Sequence, residues 1–190
     1  MFMRLTLFLL TLLTFTPTTP LQQWTQTTQT TLDSLLALFR YEKNERYEDH
    51  GHYTYPTLLT TPNQSRCFLQ ADVADNGRIT LRSYYVGLRP IEHHIVRCSA
   101  GDLYMQKEGS FHSFQVDNYR EILTICDEDA LAILRFIDAH QDASIRVSLS
   151  PLPSTPQPSM PYTYTLTKKD KHALVTTYQL YLLMQLYLAK

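Results

Sequence analysis

The sequence predicts an α+β domain in which an antiparallel β-meander sheet carries a short helix and a long C-terminal helix on one face. Short runs rich in β-formers, separated by turn signals, fill residues 66–125. The apolar residues then change to helical spacing over 126–141, and again after residue 167. Strands followed by helices, with few local β-α-β repeats, are typical of the α+β class.

The turns define the predicted strands. Asn76 and Gly77 separate two β-rich runs, and an Asn-Gly pair is the strongest short-range hairpin signal. Turn-like segments at 99–102 and 117–119 separate the runs that follow. The predicted strands are 66–73, 78–86, 91–98, 103–107, 110–116 and 120–125. We expect five or six antiparallel strands of ordinary length.

Capping signals mark both helices. Asp127 is the predicted N-cap of the first helix, and acidic residues fill its first turn, where the helix dipole favours them. Thr167 and Asp170 form a capping box that opens the last helix, which runs nearly to Lys190. The end of this helix, 180–188, is apolar almost all round, so the sheet, another subunit or a membrane surface must cover it. A homo-oligomer formed through this helix is therefore one expectation.

A proline-rich tract lies between two alternating, strand-like runs. Residues 151–161 contain five prolines in eleven positions, and the flanking runs are 144–150 and 162–167. A single strand and helix after the tract could not bury a core of their own, so a domain linker is the weakest interpretation. We expect a stiff, exposed loop that joins neighbouring strands of one domain, residues 61–190.

The N-terminus has the layout of a secretory signal peptide. Arg4 precedes an apolar run, 5–15, which is shorter than the roughly 20 residues of a membrane-spanning helix. We assign residues 1–20 as the signal peptide and expect a periplasmic or extracellular protein with no spanning segment in the mature chain. An uncleaved anchor is the alternative, because a small-residue A-x-A cleavage pattern is missing. Residues 21–60 are a predicted spacer, with a short helix over 32–40.

Composition disfavours several function classes. Lys and Arg number 17 against 18 Asp and Glu, giving a net charge of −1, and no sustained basic face is present. Nucleic acid is therefore not expected as a partner. None of the five glycines belongs to a phosphate-binding motif, which disfavours the common nucleotide enzymes. No cofactor is predicted.

The three cysteines allow at most one internal disulfide. In a simple meander, Cys67 and Cys126 lie at one end of the sheet and Cys98 at the other. Cysteines whose Cα atoms are more than roughly 7 Å apart cannot be bridged. A disulfide, if one forms, is therefore predicted between Cys67 and Cys126, and buried free thiols are the alternative.

Histidines supply the candidate metal ligands. His50 and His52 form an H-x-H pair that would point both rings to one side of an extended segment, and Asp49 or Glu92 could complete a site. The alternative is a pair of polar residues on an exposed segment. His93 and His94 are adjacent on a predicted strand, so we expect one to pack and the other to meet solvent.

Catalytic and ligand-binding signatures are weak. No G-x-S-x-G elbow occurs. Cys126, at a predicted helix start, could have a lowered thiol pKa, and a buried or disulfide-bonded cysteine is the alternative. An aromatic group on the sheet could be a ligand platform or core packing: Tyr84, Tyr85, Tyr104, Phe111, Phe114 and Tyr119. Tyr84 and Tyr85 cannot share a face.

Four stretches resemble a family of uncharacterised exported bacterial proteins. They are "LRSYYVG", "IVRCSAGDLYM", "DEDALAILRFIDAHQDASIRVSLS" and "YTYTLTKKDKHALVTTYQLYL", within residues 78–190. The resemblance lies in their order and spacing, and it implies an α+β domain of the bacterial envelope without known catalytic residues. The chain departs from the family at 88–90, where such proteins tend to have a tryptophan-containing turn, and in its longer proline-rich connection.

Two functions follow from these observations. The first is a non-catalytic binding or assembly module that presents a sheet face or a loop to a protein or another envelope component. The second is a metal-dependent or hydrolytic enzyme that uses the region of His50 and His52. The most useful single observation is which face of the sheet the helices leave open, and bound metal in the purified protein would indicate the enzyme.

Overall fold

The computed structural model describes residues 29–43, 50–56, 67–115, 118–153 and 160–189. Within these ranges the chain forms ten strands and three helices. The strands are β1 (Arg40–Glu42), β2 (His52–Thr54), β3 (Phe68–Ala74), β4 (Ile79–Gly87), β5 (Ile95–Ala100), β6 (Leu103–Glu108), β7 (Ser110–Gln115), β8 (Tyr119–Cys126), β9 (Arg146–Ser150) and β10 (Tyr162–Thr165). The helices are α1 (29–36), α2 (Asp127–Ala139) and α3 (Lys168–Leu188). The predicted signal peptide, 1–20, lies outside the described residues.

All strand pairs are antiparallel, and the α+β class is confirmed. The strands divide between a six-stranded sheet, ordered β1-β2-β3-β4-β8-β7, and a four-stranded sheet, ordered β10-β9-β5-β6. The chain leaves the first sheet after β4 and returns at Gly109, the single residue between β6 and β7. A Cβ at this position would collide with the carbonyl oxygen of Thr124, so the return requires glycine. The sequence predicted one sheet because it contains no signal for these two transfers.

Among the described residues, one face of the six-stranded sheet is covered by other elements and the opposite face stays partly exposed. Residues along β4 alternate between buried and half-buried from Ile79 to Gly87, as expected for a strand covered on one side. We call the covered side the inner face; its core residues are Leu69, Ala71, Val73, Ile79, Leu81, Leu123 and Ile125. They form one core with residues of α2, α3 and the four-stranded sheet, among them Leu134, Ile137, Leu174, Leu180, Val96 and Val147. We call the opposite side the outer face.

The capping prediction is confirmed for α3 and wrong for α2. The side chain of Thr167 accepts a hydrogen bond from the backbone N–H of Asp170, and the Asp170 carboxylate accepts one from the backbone N–H of Thr167. The N-cap of α2 is Cys126, without a side-chain cap. Asp127 is the first helical residue, at a φ of 50°, and its carboxylate pairs with Arg78 at 2.7 Å. The carboxylate therefore binds a residue of the β3–β4 connection instead of the helix end.

Replacement of Thr167 by Ala is expected to lower the free energy of unfolding by about 1 kcal/mol, because the first turn of α3 loses a side-chain acceptor. Urea titration of both proteins measures the difference. Thr167→Ser is the matched control and is expected to retain most of the stability, because it keeps the hydroxyl. Equal losses in both variants would contradict a role for the cap.

The stretch predicted as a spacer contributes structure to the domain. Helix α1 occupies 29–36, whereas the predicted helix was 32–40, and Leu32 is 5% exposed within the core. Strands β1 and β2 extend the six-stranded sheet at the edge of β3. These short strands carry mostly polar residues, which is why the sequence alone gave no strand signal there.

The proline-rich tract connects adjacent strands. Strands β9 and β10 pair directly, with Leu149 opposite Tyr162, so residues 151–161 close a hairpin within the four-stranded sheet. Met160, at its end, is 89% exposed. Residues 154–159 lie outside the described part of the chain. In the part that is described, no helix combines the length and apolar content needed to cross a membrane.

Candidate functional site

The outer face is ordered in rows by the strand registers. One row crosses β3, β4, β8 and β7 as Phe68, Tyr84, Ile122 and His112, and we call it the aromatic row. A parallel row of hydrogen-bonding side chains lies beside it: Gln70, Arg82, Thr124 and Ser110. Directly opposite residues of neighbouring strands lie close enough for their side chains to contact. The outer face therefore combines an apolar row with a polar row.

A buried carboxylate lies at the margin of the polar row. The Asp72 side chain has no exposed area and pairs with the guanidinium of Arg82, which is 32% exposed. Asp72 also accepts hydrogen bonds from Thr54 Oγ1 at 2.7 Å and from Gln70 Nε2 at 3.1 Å. These contacts neutralise the carboxylate and fix Arg82 on the outer face. The centre of this surface therefore has no net charge.

The aromatic row stands upright on the sheet. The rings of Phe68 and Tyr84 stack with centroids 4.5 Å apart and planes inclined by 14°. This spacing is close to the distance between adjacent strands, about 4.8 Å, so the two parallel rings project from the sheet with their edges outward. Burial raises the pKa of Tyr84. Phe114 and Arg120 form an adjacent cross-strand pair, and Phe114 is 46% exposed.

A second cluster lies on the inner face, around Glu121. Its carboxylate accepts hydrogen bonds from the backbone N–H groups of Ile91 (2.7 Å), Glu92 (3.0 Å) and His93 (3.1 Å). The Nδ1 atom of His93 lies 2.8 Å from Oε2 of Glu121, and both side chains are fully buried. These contacts hold the β4–β5 connection, including Glu92, whose φ is 52°. Residues 91–94, predicted as part of a strand, form this connection instead.

The pKa of Glu121 lies below its ordinary value. Burial opposes ionisation of this carboxyl group, but the hydrogen bonds from His93 and from the three backbone N–H groups together outweigh burial. The Nε2 atom of His93 faces the carbonyl oxygen of Ser83 at 3.4 Å. Because the imidazole is fully buried between the Glu121 carboxylate and a carbonyl, a substrate in solution has no access to it. The Glu121–His93 pair is therefore structural.

The structure places His52 apart from Glu92, one of the two acidic residues predicted to complete the metal site. His50 Nδ1 lies 3.2 Å from Asp75, which also accepts hydrogen bonds from the backbone N–H of Gly51 and the hydroxyl of Tyr41, both at 3.0 Å. His52 lies on β2, and two strands separate it from β8 and the Glu92 contact there. Asp49 lies outside the described residues. Across the described ranges, no group of three His, Cys, Asp or Glu residues could hold a metal ion.

The predicted Cys67–Cys126 disulfide does not fit the register. Cys67 precedes Phe68, which pairs with Tyr84, whereas Cys126 pairs with Thr80. These two positions on β4 are four residues apart, about 14 Å at roughly 3.4 Å per residue. In a simple meander β8 would run in the direction of β4, but here β8 rather than β7 pairs directly with β4, so it runs antiparallel to β4. All three cysteines are free, and burial raises the pKa of Cys98 to about 12.

The predicted aromatic group is split between two sheets and two faces. Tyr84 and Tyr85 lie on opposite faces, as predicted, and the Tyr85 hydroxyl donates to the carbonyl of Arg89 at 2.9 Å. Tyr104 lies on β6 beneath the guanidinium of Arg97, 3.8 Å from its ring centroid. Phe111 contacts His94, with ring centroids 4.6 Å apart. Tyr119 begins β8. Of the six residues predicted to form one ligand platform, Tyr84 and Phe114 therefore lie on the outer face. Tyr84 belongs to the aromatic row, and Phe114 belongs to the next cross-strand row.

Sequence reasoning missed Asp72, Arg82 and Glu121. The signal for the two acidic residues was an acidic side chain inside an apolar strand, since charged residues are almost never fully buried unless paired. The prediction that one of His93 and His94 packs is confirmed: His93 is buried and His94 half-buried. The hydrogen-bond donors that reach each buried acidic residue are determined by the strand register. The sequence alone does not show this register.

Comparison of the chain with protein-family models, curated proteins and solved structures finds no match. The geometry of the outer face and of the Glu121 cluster is therefore the basis for assigning a function. Of the two, the outer face is accessible to a partner, and the Glu121 cluster is not.

Proposed function

We propose that this chain is an exported, non-catalytic binding module that presents the outer face of its six-stranded sheet to a protein of the bacterial envelope. One observation carries the proposal. Along β4 every second residue is half-buried although the intervening residues are fully buried, so α2, α3 and the four-stranded sheet all pack on one side. In the described part of the chain, the side chains on the other side of this central strand stay partly exposed along its whole length.

The composition of the outer face favours a protein partner. Aromatic residues and arginine are enriched in the cores of protein interfaces, and unpaired charges are depleted there. The outer face has this composition: the aromatic row lies at its middle, the charge of Asp72 is neutralised by Arg82, and Arg120 lies near its edge, exposed. The centre of such a surface can lose its water without leaving a buried charge unpaired, because Arg82 and Asp72 pair there and Arg120 lies toward the edge.

Export is the part of the proposal that rests on the sequence alone. Arg4 followed by a short apolar run supports a secretory signal, and the resemblance to exported bacterial proteins supports an envelope location. The alternative, a metal-dependent or hydrolytic enzyme, gains no support from His50, which is engaged by Asp75. We therefore retain the binding module.

Site-specific photo-crosslinking in the native cells tests this function. A photoreactive residue in place of His112, at the exposed end of the aromatic row, is expected to give one defined adduct. The same residue in place of Tyr104, which is exposed on the four-stranded sheet, is the matched control and is expected to give none. Tyr84→Ala is expected to weaken the His112 adduct.

Equal amounts of adduct from the His112 and Tyr104 positions would exclude the outer face as the binding surface. The absence of any adduct when the photoreactive residue replaces His112, Phe114 or Arg120 in separate experiments would exclude it too. Mass spectrometry of the adduct distinguishes a protein partner from another envelope component. An adduct with a glycan or a lipid would contradict the protein partner proposed here.

A further inference from the structure

The second half of α3 is fixed to the domain and yet exposes a row of apolar residues. Leu180 and Met184 are buried in the core, and the side-chain amide of Gln185 donates to the carbonyl of Gly77 at 2.6 Å. Leu182 and Leu186 are 42% and 49% exposed on the opposite side of the same turns. The exposed leucines therefore belong to an anchored helix and are not a consequence of a frayed end.

The exposed residues follow the spacing of a helix-packing seam. Gln179, Leu182, Leu186 and Ala189 are all exposed and are separated by three, four and three residues. This is the a/d spacing of the heptad repeat, in which one stripe of a helix faces a second helix. We call these four residues the α3 seam. A second helix is the element that fits such a stripe.

The α3 seam is symmetric about Met184. If two copies of α3 cross antiparallel with Met184 at the centre, Leu182 of one lies opposite Leu186 of the other, and this contact occurs twice. Gln179 and Ala189 are paired in the same way at the two ends. A two-fold interface needs the same patch to be complementary to itself, and the seam meets this condition. We propose that α3 pairs with α3 of a second copy of this chain to form an antiparallel homodimer.

Charge favours a second copy over a lipid surface. No charged residue occurs between His172 and Lys190, so two seams meet without like-charge repulsion. Lys171, in the first turn of α3, is about 16 Å from Leu182 at a rise of 1.5 Å per residue. Burial raises the pKa of Tyr181, and the nearby charges on α2 are of both signs: Glu128 and Asp127 raise this pKa further and Arg135 lowers it, so no purely basic rim flanks the apolar end of α3. Interfacial membrane helices instead place Lys and Arg beside their apolar face.

Sedimentation velocity over a series of protein concentrations tests the dimer. Residues 21–190 are expected to show a reversible monomer–dimer equilibrium. The double variant Leu182→Glu, Leu186→Glu is expected to raise the dissociation constant about a hundredfold or more, because both Leu182–Leu186 contacts are lost and each 1.4 kcal/mol is tenfold. Leu103→Glu is the matched control, since Leu103 is 60% exposed on β6, and it is expected to leave the dimer unchanged.

Disulfide crosslinking tests the antiparallel register. In a Cys126→Ser background, mixing Leu182→Cys protein with Leu186→Cys protein is expected to give more crosslinked dimer than either protein alone. A wild-type chain that is monomeric at every concentration, or a dimer equally weakened by Leu103→Glu, would overturn the proposal. So would binding to anionic phospholipid vesicles that the double Glu variant abolishes, because the seam would then bind a membrane.

Discussion

Replacement of Glu121 by Gln is expected to lower the free energy of unfolding by about 3–5 kcal/mol, because two buried donors lose their acceptor and each unsatisfied buried donor costs roughly 1–3 kcal/mol. Each oxygen of the carboxylate accepts two hydrogen bonds: Oε1 from Ile91 and Glu92, and Oε2 from the backbone and ring of His93. A glutamine amide puts an NH₂ group in place of one oxygen. The two buried hydrogen-bond donors that contacted this oxygen would then face the NH₂ group, which cannot accept a hydrogen bond from them.

The effect of this replacement is expected to depend on pH. The folded-state pKa of Glu121 is lowered from an ordinary value of 4.5, so the unfolded state binds more protons between the two pKa values. The contribution of Glu121 is therefore complete above pH 4.5 and is lost as the pH falls through the folded-state pKa. The stability difference between wild type and Glu121→Gln should shrink over this acidic range.

Urea titrations at pH 7 and at several values below pH 4.5 measure both effects. Glu108→Gln is the matched control, because Glu108 is exposed on β6, and it is expected to change stability by less than about 0.5 kcal/mol. If Glu121→Gln were as mild as Glu108→Gln at pH 7, the four-donor contact would not hold the β4–β5 connection. A stability difference that grows on acidification would contradict the direction of the pKa change.

Replacement of Asp72 by Ala is expected to lower the free energy of unfolding by about 2–3 kcal/mol, because hydrogen bonds to a charged group contribute about 1.5–3 kcal/mol. The buried carboxylate pairs with Arg82 and accepts hydrogen bonds from Thr54 and Gln70. The expected loss is smaller than for Glu121, because the freed guanidinium of Arg82 already reaches solvent. Thermal or urea denaturation measures it.

A double-mutant cycle separates the Asp72–Arg82 pair from its surroundings. The single variants Asp72→Ala and Arg82→Ala and the double variant give the coupling energy, which is expected to be about 1 kcal/mol or more for residues in contact. Asp102→Ala is the control, since Asp102 is exposed on the β5–β6 turn. If the stability losses of the two single variants add up to that of the double variant, the interaction between Asp72 and Arg82 contributes nothing to stability.

The strands of the main sheet could be predicted because their signals are local. The Asn76-Gly77 turn and the alternation of "RITLRSYYV" located β3 and β4 to within two residues. The capping box at Thr167 and Asp170 located the start of α3 for the same reason. Each of these signals depends on neighbouring residues and on backbone geometry that a single turn or strand defines.

The N-cap of α2 and the cysteine pairing could not be predicted in the same way. Asp127 has the residue type of a cap, but Arg78 binds its carboxylate from the β3–β4 connection, 49 positions away in the chain. Cys67 and Cys126 were placed together by assuming one continuous meander. Both errors arise from contacts made after the strands have been assigned to sheets.

The sequence by itself determined the α+β class, most strand and helix positions, the opposite faces of Tyr84 and Tyr85, and the burial of one of the two adjacent histidines. Tertiary structure alone decided the division into two sheets, the partners of Asp72 and Glu121, and the face that remains open. The physical reason is that residue type and period fix how a segment folds and which side is apolar. Strand register and the transfer at Gly109 then decide which distant side chains meet, and these depend on packing between segments.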